Sequence, residues 1–111
     1  MSRNTIILLR RGSLDRKYVI VCNRYKGIGG ALLFWGNKTE DNAEKRSFGG
    51  YTSDFNACEK YTLEEIDNSN YKFPVYGRDC NHDNYRKFED FAIEICRLER
   101  LGYRPMLIYY R

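Results

Sequence analysis

Residues 84–101, NYRKFEDFAIEICRLERL, decide the fold as it reads from the sequence. Phe88, Phe91, Ala92, Ile95 and Leu98 recur at helical spacing, Tyr85 and Cys96 flank that stripe, and Gly102 stands ready to cap the end. The spacing predicts one long helix whose apolar face covers a sheet. Glu99 falls inside the apolar arc, where a carboxylate needs a cation or an exit to water. The strands come from the rest of the chain. Residues 4–10 and 17–23 are β-branched and aliphatic runs that read as a hairpin, and residues 25–30, YKGIGG, turn the chain into a third strand at 31–35. Residues 71–76 form a further strand, placed at an edge or bulge because Pro74 lacks a donor, and residues 103–111 form a last one. The expectation is an α+β fold in one domain spanning 1–111: a mainly antiparallel sheet of about five strands, covered by one long C-terminal helix plus short helices.

The middle of the chain, residues 31–66 (ALLFWGNKTEDNAEKRSFGGYTSDFNACEKYTLEEI), carries the candidate site. An apolar strand ends at Trp35, a charged loop follows, and the glycine pair at 49 and 50 leads to Ser53, which is placed to cap a short helix carrying Phe55, Ala57, Cys58 and Tyr61. Thr62 and Glu65 make a capping box for the next helix, with each cap worth about 1 kcal/mol. A helix start beside a tryptophan suits a small anion, because its free N–H groups carry partial positive charge. The expected ligand-binding residues are therefore Trp35, Lys45, Arg46, Tyr51 and Thr52. Trp35 and Tyr51 would form the aromatic wall, the tyrosine hydroxyl and Thr52 would orient the ligand, and the two cations would neutralise it.

Charge is unevenly distributed. Residues 1–36 carry a net +6, residues 37–83 a net −4 and residues 84–111 a net +2, which makes the stated total of +4. The basic first third points to a nucleic-acid or partner surface built from Arg10, Arg11, Arg16, Lys17, Arg24 and Lys26, with Tyr18, Tyr25 or Trp35 as stacking platforms. The competing reading is a solvated edge whose cations discourage strand aggregation. Glycines 27, 29 and 30 read as a hairpin turn rather than a phosphate loop, because a strand follows them and not a helix.

Chemistry-bearing clusters are sparse. Cys80, His82 and Asp83 lie within four residues, but neither a base-paired thiol nor a convergent zinc set is spelled out by their spacing. The four cysteines form no CxxC pair, and Cys22 and Cys96 read as small core residues in a reduced compartment. The Asn37 sequon has no export signal beside it, and the apolar run at 5–9 is closed by Arg10 and Arg11, far too short for a membrane span. A cytoplasmic protein is expected, with no cofactor, no metal and no membrane partner. The apolar residues 106–110 lie near a chain end and imply self-association into a homodimer by strand pairing.

The pattern of FW, then GYT, then an acid, an alanine and YT followed by acids resembles one found among small proteins of phages and prophages, and it covers about a third of this chain. That resemblance implies a phage-encoded protein that inhibits bacterial defence, either by binding a host effector protein or by sequestering a nucleotide second messenger. The expected function is thus non-enzymatic binding. Its alternatives are a nucleic-acid-binding module on the basic strands and a small nucleotide- or phosphodiester-acting enzyme with His82 as general base.

Overall fold

The computed structural model describes residues 15–105. Its four strands are β1 (Tyr18–Cys22), β2 (Leu33–Trp35), β3 (Tyr51–Thr52) and β4 (Asp90–Glu94), in the order β3-β2-β1-β4 with every neighbouring pair antiparallel. Three successive strands meander, and the fourth returns over a long connection to lie beside the first, which is the strand order of a Greek key. Two short helices accompany the sheet, α1 (Leu63–Asp67) and α2 (Ile95–Arg100).

β1 can be apolar throughout because both of its faces are covered. Val19 and Val21 join Phe34, Phe91, Ile93 and Leu98 on one face. Ile20 and Cys22 join Trp35, Tyr61, Ile66, Phe73 and Ala92 on the other. Successive strand side chains point to opposite faces, so one strand feeds two cores.

The long helix expected over residues 84–101 is replaced by a 3₁₀ turn at Tyr85–Lys87, the strand β4 and the six-residue α2. The helical stripe leaves Ile93 outside it. In strand register Phe91 and Ile93 lie opposite Val21 and Val19, Ala92 lies opposite Ile20, and all three are buried. This pairing also satisfies the backbone of β1 along that edge, which a covering helix would leave without partners. Helix begins only after the Ile95 N–H has donated to the Lys17 carbonyl at 2.8 Å. As a result Cys96 is exposed instead of belonging to the core, while Glu99 is exposed and so has the exit to water that its carboxylate needs.

The remaining strand expectations divide. β1 and β2 fall where the sequence places them, whereas residues 71–76 supply only two isolated parallel bridges, Val75 to Ala92 and Tyr76 to Cys80. Ala92 donates to the Pro74 carbonyl and accepts from the Tyr76 N–H, both at 2.8 Å, so the donor that proline lacks is not needed there. The strand expected at 4–10, residues 106–111 of the strand expected at 103–111, and the homodimer contact expected of the latter lie outside the described residues, as do Arg10 and Arg11; residues 103–105 form no strand. Ser53 does not open a helix. The Asp54 carbonyl accepts from Ala57 and Cys58 in a single turn, after which Cys58 bridges back to Asn37. The Thr62 capping box forms as read: Glu65 N donates to the threonine hydroxyl at 3.1 Å, and Thr62 N donates to the Glu65 carboxylate at 2.8 Å. Among the described residues no helix is long and apolar enough to cross a membrane.

Candidate functional site: an aromatic and cationic cleft

Trp35 ends β2 with its side chain on the second face, and its indole N–H donates to Asp90 Oδ1 at 2.9 Å, which ties the strand end to the start of β4. Tyr51 lies opposite it in the β2–β3 register. The Tyr51 ring stands edge-on to the indole at 5.4 Å between centroids, and Tyr71 stands edge-on at 5.3 Å. Phe73 fills beneath at 5.0 Å and stacks on Tyr71 and Phe48. Trp35 is 8% exposed, while Tyr51 and Tyr71 are 43% and 53% exposed. The tryptophan is therefore the floor and the tyrosines are the rims. Edge-to-face pairs of this kind add about 0.5–1.5 kcal/mol each beyond burial, so the rims are held in place before any ligand arrives.

Cations surround that floor. The Arg24 guanidinium donates to the Tyr51 hydroxyl at 2.8 Å and pairs with Asp90 at 3.4 Å. The cleft has a volume of about 500 Å³ and is bounded by Trp35, Tyr71, Phe73 and Phe88, with Lys72, Lys87 and Glu89 at its mouth. Lys72 and Lys87 have no ion-pair partner among the described residues. Lys72 also has a φ of 58°, a left-handed conformation that glycine adopts far more cheaply than an L-residue. The fold alone gives no reason for a lysine at that position.

Of the residues expected to bind a ligand, the structure brings Trp35 and Tyr51 together and leaves Lys45 exposed. Thr52 accepts a hydrogen bond from the Asp54 N–H at 3.0 Å, and no helix start lies beside it. Arg46 turns inward. Its side chain is 4% exposed, donates to the Glu40 carbonyl at 2.7 Å, and faces Glu59 at 3.5 Å and Glu65 at 3.9 Å. Arg16, expected on a basic surface, is likewise 8% exposed and lies 2.9 Å from Glu65. Lys17 is exposed beside Asp15, and Lys26 is exposed. Sequence reasoning did not find Tyr71, Lys72, Lys87 or Asp90. The only local signal was the alternation of aromatic and cation at 71–73.

The ion-paired carboxyls give a pH signature. Burial works to raise the Glu65 carboxyl, but the hydrogen bond from Arg16, the Thr62 N–H and the charges of Arg16 and Arg46 outweigh it and hold the group below its ordinary 4.5. Asp67 and Asp79 are pulled down by hydrogen bonds from Arg78. Carboxyls with depressed folded values add stability that is complete above the unfolded value and is lost as pH falls through the folded one. The urea midpoint should therefore hold steady from neutral pH to about 5 and drop below about 4.5. Glu65→Gln should flatten part of that drop.

The groups best suited to covalent chemistry do not converge. Cys80 is buried and its thiol is pushed up by burial and by Asp79, while the exposed His82 has Asp83 3.9 Å away. Burial also raises the Cys58 thiol, against the opposing pull of Lys60 at 3.3 Å. Among the described residues no three His, Cys, Asp or Glu side chains gather as a metal site. On the other face an apolar cleft of about 170 Å³ lies between Phe34, Phe55, Leu98 and Tyr103 and runs to Pro105, the last described residue. Comparison with protein-family models, with curated proteins and with solved structures finds no match to this chain.

Proposed function

We propose that this chain is a non-enzymatic binding protein whose working surface is the Trp35 cleft, and that its ligand joins an aromatic base to a phosphate. The observation that carries the reading is the pairing of two exposed rings held edge-on to Trp35 with two lysines that have no ion-pair partner among the described residues. A planar base gains about 1–3 kcal/mol by stacking on such a ring, and a phosphate supplies the charge that Lys72 and Lys87 leave uncompensated. The resemblance to phage proteins gives this binding its setting: inhibition of a bacterial defence component in the host cytoplasm, through a nucleotide signal or an effector that holds nucleic acid.

Trp35 is the only tryptophan, so its fluorescence reports on the cleft directly. Mononucleotides and short oligonucleotides should quench it saturably, and native mass spectrometry of protein purified from cells should reveal retained nucleotide. Tyr71→Ala should weaken binding by about 1–3 kcal/mol. Lys72→Gly should weaken it as well while leaving stability equal or higher, because glycine relieves the left-handed backbone. A purely structural Lys72 would show the stability gain and no loss of binding, and that result would remove the reading.

A further inference from the structure

Among the described residues three large apolar side chains are exposed, Tyr25, Tyr51 and Tyr71, and contacts to Trp35 and Arg24 link them. Tyr51 and Tyr71 flank Trp35. Arg24, bonded to the Tyr51 hydroxyl, also lies 6.0 Å from the centroid of the Tyr25 ring. Cations extend past the Trp35 cleft in the same direction. A second cleft of about 110 Å³ opens between Asn23, Lys26, Leu32, Tyr85 and Arg86, with Asn23 adjoining Arg24 and Arg86 adjoining Lys87. Its walls Leu32 and Tyr85 belong to the core on the face opposite Trp35. The two clefts thus meet where β1 ends and β4 begins, and Lys72, Arg24, Lys87, Arg86 and Lys26 mark a path around that end of the sheet.

Acidic groups on this path are few. Asp90 is engaged by Trp35 and Arg24, which leaves Glu89 at the rim as the exposed carboxylate. A mononucleotide offers one base and one phosphate group, too few to engage three rings and five cations together. A duplex keeps its base faces stacked inside and has none to offer these rings. A flexible polyanion with splayed bases matches both the row of rings and the row of cations. Resting on the cleft reading above, we propose that the ligand is single-stranded nucleic acid that crosses the end of the sheet, with bases on Tyr71, Tyr51 and Tyr25 and phosphates on the five cations.

The test is fluorescence anisotropy of a labelled oligothymidylate of about twelve nucleotides, a length within the usual reach of single-strand sites, with the full chain across a range of salt. Five phosphate contacts on a single strand give a log–log salt slope near −3.5, so affinity should fall roughly 100-fold between about 50 and 200 mM salt. The double variant Lys26→Ala/Arg86→Ala should make that slope shallower by about 1.4. Tyr25→Ala should weaken binding at least about 5-fold. Glu89→Gln should tighten it, an effect that no scaffold role for Glu89 produces. If thymidine monophosphate binds as tightly as the oligonucleotide and the Lys26/Arg86 variant is unchanged, the strand inference is overturned while the cleft reading stands. Equal binding of a duplex of the same length also overturns it, and failure of both oligonucleotide and mononucleotide overturns both.

Discussion

Glu59→Ala should destabilise this protein by about 3–5 kcal/mol, a large share of the roughly 5–15 kcal/mol that holds a domain of this size. Glu59 is 1% exposed. Its carboxylate accepts from the Ser47 N–H at 2.9 Å, the Thr39 N–H at 3.2 Å and the Thr39 hydroxyl, and it faces Arg46 at 3.5 Å. Truncation leaves an almost fully buried guanidinium with less compensation, and two backbone donors lose their acceptor. That is the costly direction of the asymmetry between making and breaking a buried polar contact. The charged loop between β2 and β3 is tied down in part by this side chain, beside the Tyr61 hydroxyl donating to the Ser47 carbonyl and Phe48 stacked on Tyr61, so its loss should also loosen the loop that leads into Tyr51. Denaturant unfolding checks the magnitude. Glu59→Gln, which keeps an acceptor oxygen, should cost clearly less. The double variant Glu59→Ala/Arg46→Met should cost less than the sum of its singles, by a coupling of about 0.5–3 kcal/mol, because it removes the stranded charge as well.

Arg46 shows what a sequence can and cannot reveal here. In a polar stretch bounded by turns, an arginine reads as a surface cation. What buries it is a carboxylate thirteen positions later, brought close only when Cys58 bridges Asn37. Arg16 is similar, because its partner Glu65 is 49 positions away. Local features were legible. The apolar run of β1, the tight glycine turn before β2 and the Thr62 capping box each depend on residues a few positions apart, and each is present. The mistaken helix at 84–101 failed for a non-local reason. Phe91 and Ile95 satisfy helical spacing as well as they satisfy alternation, and the free edge of β1 decides between the two. The same pairing carries Asp90 to the indole of Trp35, and the bridge from Val75 to Ala92 carries Tyr71 and Lys72 to the rim. Half of the cleft was therefore legible as the nearness of Trp35 and Tyr51. The other half arrives with a strand that the periodicity disguised.

Gly36→Ala should be nearly as severe, at roughly 2–5 kcal/mol, and it would act on the cleft from beneath. Gly36 follows Trp35 directly and has a φ of 87°, a region costly for any residue with a β-carbon. An added Cβ would stand 2.6 Å from the Ser47 carbonyl oxygen, 2.5 Å from the Tyr61 hydroxyl and 2.7 Å from Glu59 Cβ. One of those neighbours is backbone and the other two are fully buried, so none can swing aside as an exposed side chain would. The strained backbone costs about 1–2 kcal/mol and overpacking a further 1–3 kcal/mol. The Gly36 N–H donates to the Gly50 carbonyl at 2.8 Å, and its own carbonyl accepts from Glu59 at 3.2 Å. Any shift that relieves the clash therefore pulls Tyr51 from Trp35 on one side and the Glu59 network from the sheet on the other. A lowered unfolding midpoint should come with a red-shifted Trp35 emission as water reaches the indole. Gly49→Ala is the matched control: a Cβ there meets nothing within 4 Å and the backbone is not left-handed, so stability should change little or rise slightly. Equal behaviour of the two variants would mean that the β2–β3 junction is not packed as described, and the aromatic wall built on it would fall with it.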